Sequence, residues 1–269
     1  MHRLRRSVRF SVNAFLDEDV EGANAFASRP SGTGLAMFFE LAVEVAGPIE
    51  AETGFVRNVV DIDAAVRQRV VPVFAAAVRE HWRERRHIGF SVLAGLLGRA
   101  WRLLDGCWAA VRVAQLRLQL NPYRSLAIDS EVAEMVYFSE KFEFAAMHKL
   151  WNDKLSEQRN IEVFGKCANP SGHGHNYTVE VTVKAPDGGK GLDVGRFERI
   201  VDEQVIAALD HKNLNVDVAH FAAVIPSIEN LAVFAWDRLK GCFGQMELHC
   251  ITVWETDRTC CSYYGPSDR

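Results

Sequence analysis

One order of hydrophobic patterns is written twice along this chain, and that repeat limits the possible folds more than any other feature. In the second half, Tyr177, Val179, Val181 and Val183 alternate with Thr178, Glu180 and Thr182. This is the period-two pattern of a half-buried strand. After the turn-forming Pro186-Asp187-Gly188-Gly189, the apolar residues change to helical spacing at Phe197, Ile200, Val201, Val205 and Ala208. A second helix is expected after Pro226. Ser227 suits its N-cap, Glu229 lies in its positive first turn, and Ile228, Leu231, Ala232, Ala235 and Leu239 form one apolar stripe. Two last strands run through Cys250–Trp254 and Thr259–Tyr264.

The first half follows the same plan. Its basic start, MHRLRRSVRF, lacks the apolar core and small-residue cleavage site of a secretory signal; it reads as a strand with a charged lead-in, with a short transit segment as the alternative. Phe39, Leu41, Val43 and Val45 alternate, Pro48 and Gly54 mark a turn, and Val59-Val60-Asp61-Ile62-Asp63 leads into a helix as Leu192-Asp193-Val194 does later. Trp101–Cys107 matches Trp236–Cys242 in length and in both end residues, and Val111–Leu120 and Ser125–Ile128 stand where the last two strands belong. A duplication of this kind predicts two domains, 1–130 and 131–269, joined near Asp129-Ser130-Glu131. The alternative is one α+β domain whose halves agree by coincidence. Chemistry is shared unequally: the first half has no HxH and no Asp-His pair, and Ala94 falls near the place of Glu229. It reads as a scaffold copy. The segment Phe74–Arg86 is either a solvated helical face or an interaction surface.

A formal net charge of −4 gives no reason to expect nucleic acid or an anionic membrane as partner, although a local basic pocket for a phosphorylated small molecule is invisible in that total. The longest apolar run, Val70–Val78, is too short to span a bilayer and is interrupted by Pro72. Six cysteines (Cys107, Cys167, Cys242, Cys250, Cys260 and Cys261) follow no disulfide spacing, so a reduced, cytoplasmic protein is expected.

His173 and His175, in GHGHNY, share one face of an extended segment. With His148, at the end of FEFAAMH, they make a three-nitrogen zinc site with one open position; a plain surface or core histidine pair is the competing reading. Cys167 stands six residues before His173 in a loop rich in Gly, Pro and Asn. It is either an inert packed thiol or a base and nucleophile whose pKa is lowered by Lys166 and a metal. Asp210-His211 is either a proton-moving pair or a helix C-terminal histidine on the dipole. Glu255, in VWETD, is either ion-paired or placed to accept two hydrogen bonds from the amidine-like edge of a ligand.

FxAxH, FGKCxNPxGHGHNY, LDHKNLN, the helix start at Ser227-Ile228-Glu229-Asn230 and WETD occur in one order between Met135 and Tyr264. In that order the segment resembles the 6-pyruvoyltetrahydropterin synthase family, which includes the 6-carboxytetrahydropterin synthases of queuosine biosynthesis. The resemblance implies an α+β protein of two tandem tunnelling-fold domains, each an antiparallel sheet with two helices on one face, assembling as a homo-oligomeric barrel. It implies zinc on His148, His173 and His175, Cys167 as base, and Asp210 and His211 as its proton-moving partners. The pterin is implied to be held by Glu255, with Ser227 and Glu229 also binding substrate. The implied reaction converts 7,8-dihydroneopterin triphosphate to 6-pyruvoyltetrahydropterin with loss of triphosphate. The longer CANPSG insert resembles the pyruvoyl-forming branch more than the carboxy-forming one. A non-catalytic pterin-binding assembly is the rival of another class. Ile228 departs from the small hydroxyl residue usual there, and the degenerate first half puts any site shared between neighbouring domains in doubt.

Overall fold

The computed structural model describes residues 1–16, 24, 26–30, 34–132, 134–186, 188–189 and 191–266. Asp187, part of the expected turn after the alternating strand, lies outside them. The chain divides into two compact units: Met1–Phe138 with Ala185–Leu192, and Ser139–Lys184 with Asp193–Arg269.

In the first unit, β1 (His2–Val12), β2 (Met37–Gly47), α1 (Val59–Ala65), α2 (Val71–Arg83), α3 (Phe90–Leu104), β3 (Arg112–Gln119) and β4 (Arg124–Asp129) follow one another. The strands pair antiparallel in the order β1-β2-β3-β4, with Val8 opposite Leu41, Leu41 opposite Leu118, and Leu116 opposite Ile128. The alternation expected at Phe39–Val45 is present, and these residues are buried with Val8, Phe10 and Val12. Rings from three elements meet there: Phe10, Phe39 and Phe74 have centroids 5.3 to 5.6 Å apart. Offset and edge contacts of this kind add to the burial energy.

One helical detail departs from simple periodicity. The buried residues Ile62, Val66, Val70, Phe74 and Val78 recur every four positions. A 3.6-residue helix carries such a stripe steadily around its axis, so it drifts off the sheet. A π-helical stretch at Val66–Val70, between α1 and α2, takes up the excess turn. Pro72 sits in the first turn of α2, directly after the π turn.

The second unit contains most of β5 (Val136–His148), then α4 (Glu157–Phe164), β6 (His173–Ala185), α5 (Val194–Val201), α6 (Ala207–Leu209), β7 (Lys212–Asn213), α7 (Leu214–Asp217), α8 (Ile228–Leu239), β8 (Glu247–Thr256) and β9 (Thr259–Tyr263). Its strand order is β5-β6-β8-β9, with β8 antiparallel to both neighbours, and β7 is a short parallel addition to β5. This is an α+β arrangement of an antiparallel sheet with helices, as expected. The period-two strand is β6, where Tyr177, Val179, Val181 and Val183 are all within 1% of full burial. The helix after it differs from the expected stripe. Phe197, Val201, Val205 and Leu209 are the buried set, again four apart, while Ile200 and Ala208 are only half-buried. A second π turn, Asp202–Ile206, shifts the phase between α5 and α6.

Ser227 caps α8 as expected, its hydroxyl accepting from the Asn230 N–H. Asn160 was not singled out by any pattern, yet it organises the loop between β5 and α4. It is fully buried; its Oδ1 accepts from the Asn152 N–H at 2.8 Å, and its Nδ2 donates to the carbonyls of Asn152, Leu155 and Ser156. Asn160→Ala strands these backbone groups out of water, and we expect a loss of about 3 kcal/mol in urea denaturation. A loss below about 0.5 kcal/mol would show that the loop re-forms its bonds without the amide.

Candidate active site

Three imidazoles converge on the inner face of the second unit's sheet. His148 ends β5 and faces the same way as the buried Phe144 and Ala146, while His173 and His175 begin β6 in phase with Tyr177. Their ring centroids are 4.6 to 5.2 Å apart and their planes cross at 70 to 85°. One nitrogen from each falls within 4.8 Å of the other two.

The tautomer of His148 is fixed by its surroundings. Its Nδ1 lies 2.8 Å from the Pro226 carbonyl oxygen, an acceptor only, so Nδ1 carries the hydrogen and Nε2 keeps a lone pair. The Tyr177 hydroxyl sits 3.2 Å from the same Nδ1. Burial drives the Tyr177 pKa far upward and keeps it a neutral phenol. Burial also pushes His148 and His175 below the usual histidine range, against the opposing pull of Glu255. Both rings are therefore neutral near pH 7, the state a metal needs.

These donors fit a metal ion. His148 Nε2 and His173 Nε2 face each other at 3.2 Å. Two nitrogens bound tetrahedrally to one zinc at about 2.0–2.1 Å are about 3.3 Å apart. His173 Nδ1 and His175 Nε2 are buried without a hydrogen-bond partner. The Glu255 carboxylate lies 3.4 Å from His148 Nε2 and 3.4 Å from His175 Nε2, and no hydrogen-bond donor meets it among the described residues.

Gly172 makes this convergence sterically possible. Its φ is +69°, and a Cβ placed on it would lie 2.8 Å from the His148 carbonyl oxygen. Gly174 has no such role, since a Cβ there would meet only ordinary contacts.

Cys167 lies in a 3₁₀ turn, Gly165–Ala168, which is tied to the end of β5 by Leu150 N–H donating to the Cys167 carbonyl at 2.8 Å. Its Sγ is 3.7 Å from His173 Nε2, so the thiol stands beside the imidazole cluster. The lowering expected from Lys166 is not found in the chain alone. Burial, then the charge of Glu255, pushes the thiol up, and the exposed Lys166 does not oppose them. In the chain alone this cysteine is a thiol.

Asp210 and His211 do not join that cluster. They are fastened to the outer edge of β5, with Asp210 Oδ1 accepting from the Ala145 N–H at 2.9 Å and the His211 N–H donating to the Ala145 carbonyl at 2.6 Å. β5 thus stands between them and β6, which carries His173 and His175. His211 Nδ1 is 2.8 Å from Asp210 Oδ2, and the imidazole is 83% exposed. The Ala145 N–H and His211 together hold Asp210 below the usual carboxylate range. His211 overlooks a cavity of about 580 Å³ bounded by Ala145–Met147, Gly174–Asn176 and Lys212–Asn213. By strand alternation, Ala145, Met147, Gly174 and Asn176 face away from the imidazole cluster.

Ser227 spends its hydroxyl on capping α8, and Glu229 is exposed in the first turn; neither contacts the imidazoles. Sequence reasoning did not assign site roles to Tyr177, the Pro226 carbonyl or Asn215. Tyr177 was findable, being in phase with both strand histidines. Asn215 pairs its amide with both backbone groups of Lys149, next to His148, and only the fold reveals that partner.

The second unit thus holds a three-imidazole cluster able to bind a metal, with a thiol beside it. The family description "6-pyruvoyl tetrahydropterin synthase" matches residues 137–266. The chain is 40% identical over 130 residues to the human 6-pyruvoyl tetrahydrobiopterin synthase, an alignment covering 47% of this chain and 90% of that protein. It is 34% identical to the Dictyostelium discoideum protein of the same name, covering 50% of this chain and 99% of that one. The solved structure of the Caenorhabditis elegans 6-pyruvoyl tetrahydropterin synthase is 32% identical, covering 49% of this chain and 96% of that one, with a TM-score of 0.45. The chain belongs to the 6-pyruvoyl tetrahydropterin synthase family and is an enzyme of the lyase class.

Gly172→Ala forces both a strained φ and a clash with the His148 carbonyl. We expect about 2 kcal/mol of lost stability and about tenfold weaker metal binding in a chelator competition. Unchanged affinity would mean that the close approach of Gly172 to His148 is not what sets the imidazole positions.

Proposed function

We propose that this chain converts 7,8-dihydroneopterin triphosphate to 6-pyruvoyltetrahydropterin with elimination of triphosphate, using zinc held by His148, His173 and His175. The observation that carries this reading is the Cys167 thiol, 3.7 Å from an imidazole of a three-nitrogen cluster whose nitrogens lie close enough to share one metal ion. When bound, zinc supplies a Lewis acid that polarises the side-chain oxygens of the pterin and acidifies the neighbouring C–H. The thiol then needs little basicity of its own, and a cation beside it also lowers its pKa. Cys167 removes the side-chain proton. Glu255, whose oxygens meet no hydrogen-bond donor among the described residues, accepts from the amidine-like edge of the pterin ring.

Asp210 and His211 complete the proton path from a second copy of the chain. Within one chain they sit at the far edge of β5 with His211 turned to solvent, so a homo-oligomer with shared sites is the arrangement their placement supports. We read residues 1–130 and 131–269 as tandem tunnelling-fold domains, the first without a metal site. Apart from α4, β7 and α7 in the second, both units run two strands, helices and two strands, and both place a π turn within the helix that follows the second strand. Ser227 and Glu229, at the mouth of α8, are assigned to substrate contacts on the strength of the family resemblance.

Anaerobic incubation of the zinc-loaded protein with 7,8-dihydroneopterin triphosphate, with the product identified by mass, tests the assignment. A pyruvoyl product is expected; a carboxy product moves the chain to the queuosine branch, and binding without turnover leaves a pterin-binding assembly. Cys167→Ala should abolish turnover while one zinc per chain and pterin binding persist, and loss of the metal would make Cys167 a ligand. Mixing the separately inactive Cys167→Ala and His211→Ala proteins should restore part of the activity through hybrid sites. No recovery in a confirmed hybrid oligomer would place the whole site in one chain. Glu255→Gln should weaken pterin binding by about tenfold and zinc binding much less. The reverse order would make Glu255 a metal ligand rather than a pterin anchor.

A further inference from the structure

We propose that the first unit carries its own binding site for an organic di- or triphosphate, in an arginine-lined cavity along β1. This inference stands on residues outside the family match at 137–266 and does not depend on the reaction assigned to the second unit. The cavity measures about 430 Å³, and its wall includes Arg5, Arg6 and Arg9 from β1 and Arg67 from the π turn after α1. Ser7, Phe26 and Asp63 complete the lining, so four arginines there face a single acidic residue.

Carboxylates are scarce around these guanidiniums. Glu44 is shared by Arg3 and Arg5, Asp63 is shared by Arg6 and Arg67, and Glu40 takes Arg9. A shared carboxylate leaves donor capacity over, because each guanidinium offers five N–H groups in a fixed fork. One such donor is plainly unused: Arg6 Nε is buried and has no hydrogen-bond partner, though Arg6 Nη2 reaches Asp63. An unmet buried donor is costly, and an anionic oxygen is the acceptor that suits it.

Arg67 is braced rather than loose, with Nε on Asp63 at 2.6 Å and its Nη atoms on the Arg9 and Arg29 carbonyls. Arg9 lies 4.7 Å over the Phe26 ring and donates to the Phe26 carbonyl at 2.9 Å. Phe26 is 80% exposed and offers a flat apolar surface next to the charge. The volume falls within the range of small-molecule sites and admits more than one phosphate group together with a planar ring. All of this stands in a chain of net charge −4, so the positive field is local rather than a property of the whole surface.

The test uses the full chain and inorganic tripolyphosphate as the probe, read by amide hydrogen exchange. Protection is expected in peptides covering Arg3–Arg9 and Asp61–Arg69, and in the double variant Arg6→Ala/Arg67→Ala the half-saturating concentration there should rise at least about tenfold. Asp63→Asn removes the internal competitor and should lower it by about threefold, a gain that damaged folding does not produce. Arg86→Ala, an exposed arginine outside the cavity, serves as the control and should change nothing. The proposal is overturned if the wild type shows no protection in these peptides. It is equally overturned if the double variant matches the wild type or if Arg86→Ala weakens binding as much as the double variant does.

Discussion

The hydrogen bond from His148 Nδ1 to the Pro226 carbonyl is the contact on which the site depends. It joins the end of β5 to the entry of α8 and at the same time fixes which nitrogen of His148 has a lone pair. The acceptor is itself held in place: Asn230 Nδ2 and the Ser227 N–H both donate to the Ile225 carbonyl, one residue earlier, at 2.8 Å. Capping of α8 and orientation of His148 are therefore one structural event. Without the Pro226 acceptor, the buried ring could exchange tautomers or turn, and Nε2 would no longer face His173. Tyr177, beneath the same nitrogen, limits that rotation sterically and with its hydroxyl.

Much of the fold was legible because strands of period two bury one face and leave little room for another reading. Val8, Leu41, Leu118 and Val181 all fall on buried faces, as alternation requires. The long helices were legible as helices but not in phase. A 3.6-residue period assigned Ile200 and Ala208 to the stripe, whereas the buried set is Phe197, Val201, Val205 and Leu209. The strict four-residue interval was visible in the letters, and its physical meaning is a π turn that resets the drift. Polar contacts made at long range were not legible. Asn160 and Asn215 have ordinary loop neighbours in sequence, and only the folded chain shows which backbone groups they satisfy.

For the candidate site, the sequence displayed the chemical groups but not their distribution over the sheet. His148, His173, His175 and Cys167 come together because strand parity puts the histidines on the inner face and Gly172 lets the chain pass close to His148. The part given to Lys166 in the electrostatics of Cys167 was misjudged from adjacency in sequence. Lys166 is adjacent in the chain but points to water, whereas Glu255, far away in sequence, supplies the nearby charge. Proximity in sequence is a weak guide to field where consecutive side chains point different ways.

The placement of His211 carries an energetic argument of its own. Its φ of +55° lies in the left-handed region, which costs a non-glycine residue about 1 kcal/mol or more. That conformation is held by the Ala145 carbonyl, by Asp210 Oδ2, and by the short parallel pairing of Lys212–Asn213 with β5. Three restraints hold an imidazole that is 83% exposed and that, among the described residues, meets Asp210 but not the Cys167 thiol. These contacts stabilise the end of the helix within one chain, and they also leave the ring oriented at the surface. That orientation suits the proposed arrangement, in which the ring meets a thiol of another copy. The cavity of about 580 Å³ beneath it, floored by the outward side chains of β5 and β6, leaves the room such an approach requires.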